Sequence, residues 1–167
     1  MGRGVKKSSK WIVLIIVVLV VIILIASFIH RGSVSSDDEK LVVKYQGEVV
    51  AEYTIDELKG LESETVYVSM TSGKGNPVDN DYTGVMAAVI AEEAGIGAYE
   101  TITFTAADGY SSAGEASEAD TVMVAYECDG EALEAYSKGG VGPMRCVFTE
   151  DTFGSRSIMN VTSIDFQ

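Results

Sequence analysis

The sequence predicts an α+β domain preceded by a single transmembrane helix. About six short segments rich in β-branched and aromatic residues, with two helical segments that do not alternate regularly with them, indicate a mixed β-sheet. Residues 11–26 form an unbroken apolar run near the start of the chain. The basic and acidic side chains are also distributed differently before and after this part of the chain. Residues 1–32 carry five basic and no acidic side chains, whereas residues 33–167 carry 25 Asp and Glu against seven Lys and Arg.

Residues 11–30 are predicted to form the transmembrane helix, after a basic segment at 1–10. Phe28 and Ile29 extend the apolar run, and at about 1.5 Å per residue the stretch 11–29 is about 28 Å long, close to the thickness of the hydrocarbon core of a membrane. Four basic residues precede it, so the positive-inside rule predicts a cytoplasmic N-terminus. The alternative is a cleaved signal peptide, but only residues 25–27 approach a cleavage site, and their first residue is bulky. We therefore expect a single-pass cell-membrane protein whose C-terminal domain is extracytoplasmic.

Residues 31–40 are predicted to be a linker and residues 41–167 the outer domain. The domain begins with a hairpin, strands 41–45 and 48–53 joined by a turn at Gln46-Gly47. Thr54 and Glu57 have capping-box spacing, which predicts a short helix that ends near Leu61.

The remaining elements follow from residue patterns of the same kind. Residues 65–71 predict a strand, 72–81 a ten-residue loop, and 85–94 a helix closed by Gly95. Three further strands are predicted at 100–106, 144–149 and 158–166, and the nearly continuous apolar strand at 121–128 is expected at the centre of the sheet. The first of these strands ends at a turn containing Asp108-Gly109, and the central one at a turn containing Asp129-Gly130.

Several kinds of chemistry are excluded or disfavoured by composition. The only histidine is His30, beside the membrane segment, so the domain cannot contain a Ser-His or Cys-His pair or a histidine metal site. The net charge of −18 on the outer domain argues against nucleic-acid binding. Residues 79–81 (DND) could offer oxygen ligands to calcium, although the full spacing of an EF-hand loop is absent.

Cys128 and Cys146 fall on two predicted strands that could be neighbours. A disulfide between them would enclose seventeen residues and contribute about 3 kcal/mol. The alternative is a pair of buried thiols whose strand positions are not in register.

The order of five short motifs resembles the molybdopterin-binding domain of the sulfite oxidase family, in a short stand-alone form. The resemblance covers about residues 41–166. Its motifs are residues 54–58 (TIDEL), 81–85 (DYTGV), 102–111 (ITFTAADGYS), 124–133 (VAYECDGEAL) and 142–147 (GPMRCV).

The resemblance implies an oxidoreductase fold and a molybdopterin cofactor. It also nominates Tyr82, Asp108, Tyr110 and Ser111 as cofactor-binding residues, and leaves the catalytic residues unassigned. In the family a cysteine thiolate binds molybdenum, but the corresponding stretch here, residues 68–73 (VSMTSG), contains none.

Basic residues that could hold an anionic cofactor are also scarce. After Lys59 there are four, namely Lys74, Lys138, Arg145 and Arg156. We therefore expect a domain that keeps the fold but has lost molybdenum catalysis, and that acts in binding or assembly with a protein partner in the membrane or cell envelope. The alternative is an oxidoreductase component that still binds a molybdopterin-type cofactor.

Overall fold

The computed structural model describes residues 40–135 and 138–167. The predicted basic segment 1–10, the transmembrane helix 11–30 and the linker as far as residue 39 lie outside these residues. Within the described ranges, no helix is long and apolar enough to cross a membrane.

The described residues form eleven strands, two short α-helices and one 3-10 helix. The strands are β1 (Lys40–Tyr45), β2 (Glu48–Thr54), β3 (Glu64–Thr71), β4 (Pro77–Met86), β5 (Thr101–Ala106), β6 (Ser111–Glu115), β7 (Val122–Cys128), β8 (Glu131–Ala132), β9 (Arg145–Phe148), β10 (Ile158–Met159) and β11 (Val161–Phe166). The helices are α1 (Ile55–Lys59), α2 (Ala87–Glu93) and the 3-10 helix Ala116–Glu118.

The first sheet is mixed and has the strand order β2-β1-β11-β5-β6. Strands β1 and β11 pair in parallel, with Val43 opposite Ile164, and the other neighbours are antiparallel. Because β11 lies between β1 and β5, the sheet joins the two ends of the described chain at its centre.

The second sheet is antiparallel and has the order β10-β9-β7-β4-β3, with β8 paired to β7. The residues of β7 alternate between two apolar clusters: Val122 and Val124 belong to the cluster shared with the first sheet, and Met123 and Ala125 belong to a second cluster. Burial on both faces explains the nearly continuous apolar sequence of this strand, and confirms that it is central.

The main core lies between the two sheets. Buried side chains from β1, β5 and β11 meet those from β7 and β9, and the rings of Phe104 and Phe148 contact edge to face across the interface at 6.1 Å. A fully buried Leu, Ile or Phe side chain of this kind contributes about 1.5 to 3 kcal/mol. This core positions the rims of both sheets, where the candidate site lies.

Several local predictions are confirmed. The turn between β1 and β2 has Gln46 and Gly47 at φ of 54° and 85°, as a tight hairpin requires. Thr54 Oγ1 accepts the Glu57 N–H and the Glu57 carboxylate accepts the Thr54 N–H, which completes the capping box.

Strand β4 and the helix after it differ from the prediction. Residues 77–81, predicted as part of a loop, pair with β3, and residues 82–86 continue the strand, so the helix begins at Ala87 rather than at 85. The family motif 81–85 (DYTGV) therefore lies wholly within a strand. Pairing with β3 holds residues 77–81 extended in spite of their polar, turn-forming composition, and residues 82–86 pair with β7 on the other side of β4.

The predicted strand 158–166 is divided in two at Asn160. This residue has φ of 54°, and the chain there leaves the second sheet, where β10 pairs with β9, and enters the first as β11. The local sequence alternates as one strand would, so only the tertiary pairing reveals the corner.

The calcium hypothesis is not supported. Asp79, Asn80 and Asp81 lie along β4 rather than in a loop, so their side chains alternate between the two faces of the sheet. In the part of the chain that the structure describes, no three Asp, Glu, His or Cys residues cluster as metal ligands would.

Candidate functional site

A cavity of about 590 Å³ opens where the rims of the two sheets meet. Its wall comes from three regions that are distant in sequence: the β3–β4 region, the β5–β6 turn, and β9 with the β9–β10 connection and the Asn160 corner. The side chains used below are Met70, Val78, Asp108, Tyr110, Arg145 and Met159. The volume is within the usual range for small-molecule sites.

Two of the four predicted cofactor-binding residues line this cavity, and two do not. Asp108 and Tyr110 form part of its wall. Tyr82 is buried beneath it, and its ring lies 5.5 Å from the guanidinium of Arg145. Ser111 begins β6, where its hydroxyl hydrogen-bonds to Thr105 at 3.1 Å outside the cavity lining.

The β5–β6 turn that carries Asp108 and Tyr110 is held by its own hydrogen bonds. The Tyr110 N–H donates to Asp108 Oδ1 at 2.9 Å, and the Gly109 N–H donates to the Ala106 carbonyl at 2.9 Å. Gly109 has φ of 86°, which a residue with a side chain adopts only with strain. The turn therefore fixes Tyr110 at the mouth of the cavity, with 58% of its surface exposed.

Arg145 is the one cationic side chain in the lining of the cavity, among the residues that the structure describes. Its Nε is buried and has no hydrogen-bond partner. No carboxylate within 40–135 or 138–167 forms an ion pair with it. A buried, unpaired donor on a charged group is costly, so this position is suited to an anionic ligand.

Arg156, the other arginine of the domain, is already occupied by two carboxylates. Its guanidinium donates to Glu118 in a fork at 2.8 and 3.1 Å and to Asp151 at 2.5 and 2.9 Å, and it lies over the Phe148 ring. The hydrogen bonds from Arg156 hold the pKa of the Glu118 carboxyl below its ordinary value, and those to Asp151 and Glu118 raise the pKa of Arg156. This residue is a structural clamp and is not free to bind a cofactor.

The cavity does not offer the ligand that molybdenum requires. The stretch 68–73, where the resemblance implies the metal-binding loop, contributes Met70, Ser72 and Gly73 to the wall, while Ser69 is exposed on the opposite side of β3. A thioether or hydroxyl does not replace an anionic thiolate as a ligand for this metal. The residues present therefore do not fit the metal-bearing form of the cofactor.

The two cysteines are elsewhere, and they are not bonded to each other. Cys146 lies opposite Val124 in the β7–β9 pair, four residues from Cys128, so the two positions are out of register and the structure has the second alternative, two free thiols. Burial raises the pKa of Cys146 well above its ordinary value. Burial, followed by the neighbouring Asp129 carboxylate, raises the pKa of Cys128.

The sequence names Arg145 only as one of four basic residues that could hold an anion, and it does not point to Asn160. The available signal was an arginine within the apolar segment 144–148 (MRCVF), since a charge in a buried strand needs a partner or a ligand. For Asn160 there was no such signal, because its role depends on the corner between the sheets. Gly142 packs directly against it: an added Cβ would lie 2.4 Å from the Asn160 Cα.

Comparisons with known proteins agree with this architecture. Among solved structures, the sulfane dehydrogenase SoxCD from Paracoccus pantotrophus superposes with a TM-score of 0.65 at 18% identity over 80% of this chain. The match covers 39% of that protein's chain, so this chain corresponds to less than half of its length. No curated protein sequence matches. The model of the oxidoreductase molybdopterin-binding domain matches residues 30–167, and the chain belongs to that family.

Proposed function

We propose that this chain is a membrane-anchored extracytoplasmic domain that binds a ligand in the cavity between its two sheets and does not perform molybdenum catalysis. The observation that carries the proposal is the chemistry of the wall: Met70, Ser72 and Gly73 line it in the stretch where the resemblance implies a thiolate. The family fold is kept, and among the described residues that line the cavity Arg145 is the one cation, with an Nε that lacks a hydrogen-bond partner.

Molybdenum content is the direct test. The full chain, purified from its native host with the membrane fraction, is expected to contain far less than one molybdenum per chain by elemental analysis. The Met70→Cys variant places a thiol in the cavity wall, and Ser69→Cys places one on the exposed side of the same strand. Stoichiometric molybdenum in the unmodified protein would refute the proposal.

The second candidate is an oxidoreductase component that binds a molybdopterin-type cofactor and is completed by a partner subunit. Family membership and the unpaired guanidinium of Arg145, which could contact a phosphate, favour it. Fluorescent pterin released by denaturing native material would support this candidate. Its absence from material isolated together with any bound subunit would exclude it.

The membrane anchor and the outward orientation rest on residues 11–30 and on the flanking charges. The chain is expected to remain with membranes after alkaline extraction, and a chain lacking 11–30 is expected to be released. In intact cells stripped of their outer layers, added protease should degrade residues 41–167. Protection of the domain until the membrane is permeabilised would reverse the proposed topology.

A protein partner in the membrane or cell envelope is also part of the proposal. Three apolar side chains are exposed near the cavity, namely Tyr110, Phe153 and Met159, with 58, 63 and 46% of their surfaces accessible. Crosslinking in native membranes from a photoreactive residue at 153 tests this, with position 49 on β2 as the control. If neither position yields a crosslink, the result contradicts the proposed partner.

A further inference from the structure

The geometry points to a small monocarboxylate with an apolar body as the ligand of the cavity. The inference rests on the proposed function, because it requires the cavity to be free of a metal cofactor. It goes further by naming the class of molecule that the wall would select.

Arg145 supplies the recognition of the carboxylate. Its Nε lacks a hydrogen-bond partner. Its guanidinium lies over the buried ring of Tyr82, so the guanidinium plane is restrained from one side. The Tyr82 hydroxyl in turn accepts a hydrogen bond from Asn80 Nδ2 at 3.4 Å. A planar guanidinium matches the two oxygens of a carboxylate, and a restrained one loses less freedom when it binds.

The rest of the wall favours an apolar body. Met70, Val78, Ala106, Ile158 and Met159 all line the cavity. Covering these side chains with a hydrocarbon group removes apolar surface from water, which makes the free energy of binding more favourable. A ligand that is anionic at one end and apolar along its length therefore satisfies the whole wall.

The charge of the surroundings favours one negative charge over two. A single cation faces the cavity among the described residues, and Asp108 stands in the same wall. The outer domain carries a large excess of acidic residues, which raises the energy of a dianion such as sulfate near its surface. The site thus differs from one built for a doubly charged oxyanion.

The test is calorimetric titration of the full chain in a non-ionic detergent with hexanoate, hexanamide and sulfate at pH 7. Hexanoate is expected to bind about tenfold or more tightly than either hexanamide or sulfate, as expected when a charge-assisted hydrogen bond is gained. Arg145→Gln should weaken hexanoate binding by about tenfold or more and leave hexanamide unchanged. Lys44→Gln, an equal change of charge on β1 away from the cavity lining, should bind hexanoate as the unmodified chain does.

The wild-type series is decisive even where Arg145→Gln fails to fold. Sulfate binding as tightly as hexanoate, hexanamide binding equally well, or no heat from hexanoate up to its solubility limit would each overturn the inference. Molybdenum is measured in the same native preparation. Stoichiometric molybdenum would overturn the proposed function. Metal-free protein that does not bind hexanoate would overturn only the choice of ligand.

Discussion

Gly84 lies in β4, and its α-carbon faces the backbone of β7. A Cβ added there would be 2.3 Å from the Val124 carbonyl oxygen and 2.5 Å from the Ala125 Cα. Both atoms are backbone, so the strands would have to separate at the irregularity between Thr83 and Gly84. We expect Gly84→Ala to reduce the free energy of unfolding by about 2 to 3 kcal/mol, as overpacking in a core does.

The control for this substitution is Gly97→Ala, because a Cβ at Gly97 has no atom within 4 Å. That variant is expected to unfold within about 0.5 kcal/mol of the unmodified chain in urea. Equal stability of the two variants would show that β4 and β7 are not in close contact at Gly84.

The two cysteines give a prediction of their own. Both are free in the structure, and Cys146 is fully buried while Cys128 is half-buried. Denatured protein that has not been reduced should take up two alkyl groups by mass spectrometry. Native protein should be alkylated slowly at Cys128, whose raised pKa leaves little thiolate, and not at Cys146 until it unfolds. Alkylation that requires prior reduction would instead reveal a disulfide.

The Arg156 clamp joins two elements that the chain does not connect directly. Glu118 ends the 3-10 helix between β6 and β7, whereas Asp151 and Arg156 belong to the β9–β10 connection that forms part of the cavity wall. The fork also covers the Phe148 ring. Loss of the clamp should therefore destabilise the fold and also the β9–β10 connection in the wall of the cavity.

The stability contributed by Glu118 should depend on pH. Its pKa is lowered in the folded state below the ordinary value of 4.5, mainly by the hydrogen bonds from Arg156. The contribution is therefore complete above pH 4.5 and lost as the pH falls through the folded pKa. We expect Glu118→Gln to cost about 1 kcal/mol at pH 7, and the difference from the unmodified chain to shrink below pH 4.5.

The measurement is urea unfolding between pH 7 and pH 3. Glu62→Gln removes the same charge at an exposed position and serves as the control. It should follow the unmodified chain across this range. A difference for Glu118→Gln that stays constant down to pH 3 would mean that the carboxylate is not held ionised by Arg156.

The elements that the sequence predicts well are those decided by local chemistry. The Thr54–Glu57 capping box and the turn at Asp129-Gly130 need only neighbouring residues, and both are present. The elements that it predicts poorly depend on pairing. Asp79 and Asp81 are turn-forming residues that pairing with β3 holds extended, and the corner at Asn160 exists because the next strand pairs in the other sheet.

At the scale of the molecule, the candidate site is likewise only partly predictable from the sequence. Family motifs led to Asp108 and Tyr110, because a turn after a strand presents both side chains together. Arg145 joins them only because β9 pairs with β7 and the sheets meet at their rims. Tyr82 was in the right region but faces the core. A site made from three distant segments becomes visible only when the sheet topology is known.

The charge of the whole outer domain yields a final prediction. Residues 33–167 hold 25 Asp and Glu and seven Lys and Arg, and three basic residues of the described ranges, Lys40, Lys59 and Arg156, are already in ion pairs. Salt screens both the repulsion and the pairs, but the unpaired excess is larger, so screening should stabilise the fold. Raising the ionic strength from about 0.01 to 0.15 M, which shortens the Debye length from about 30 to 8 Å, should raise the melting temperature by a few degrees.

Near-UV circular dichroism of the eight tyrosines, all after residue 40, reports on this domain, and choline chloride in place of NaCl controls for binding of sodium. A melting temperature that falls with salt would mean that the ion pairs, and above all the Arg156 clamp, outweigh the repulsion.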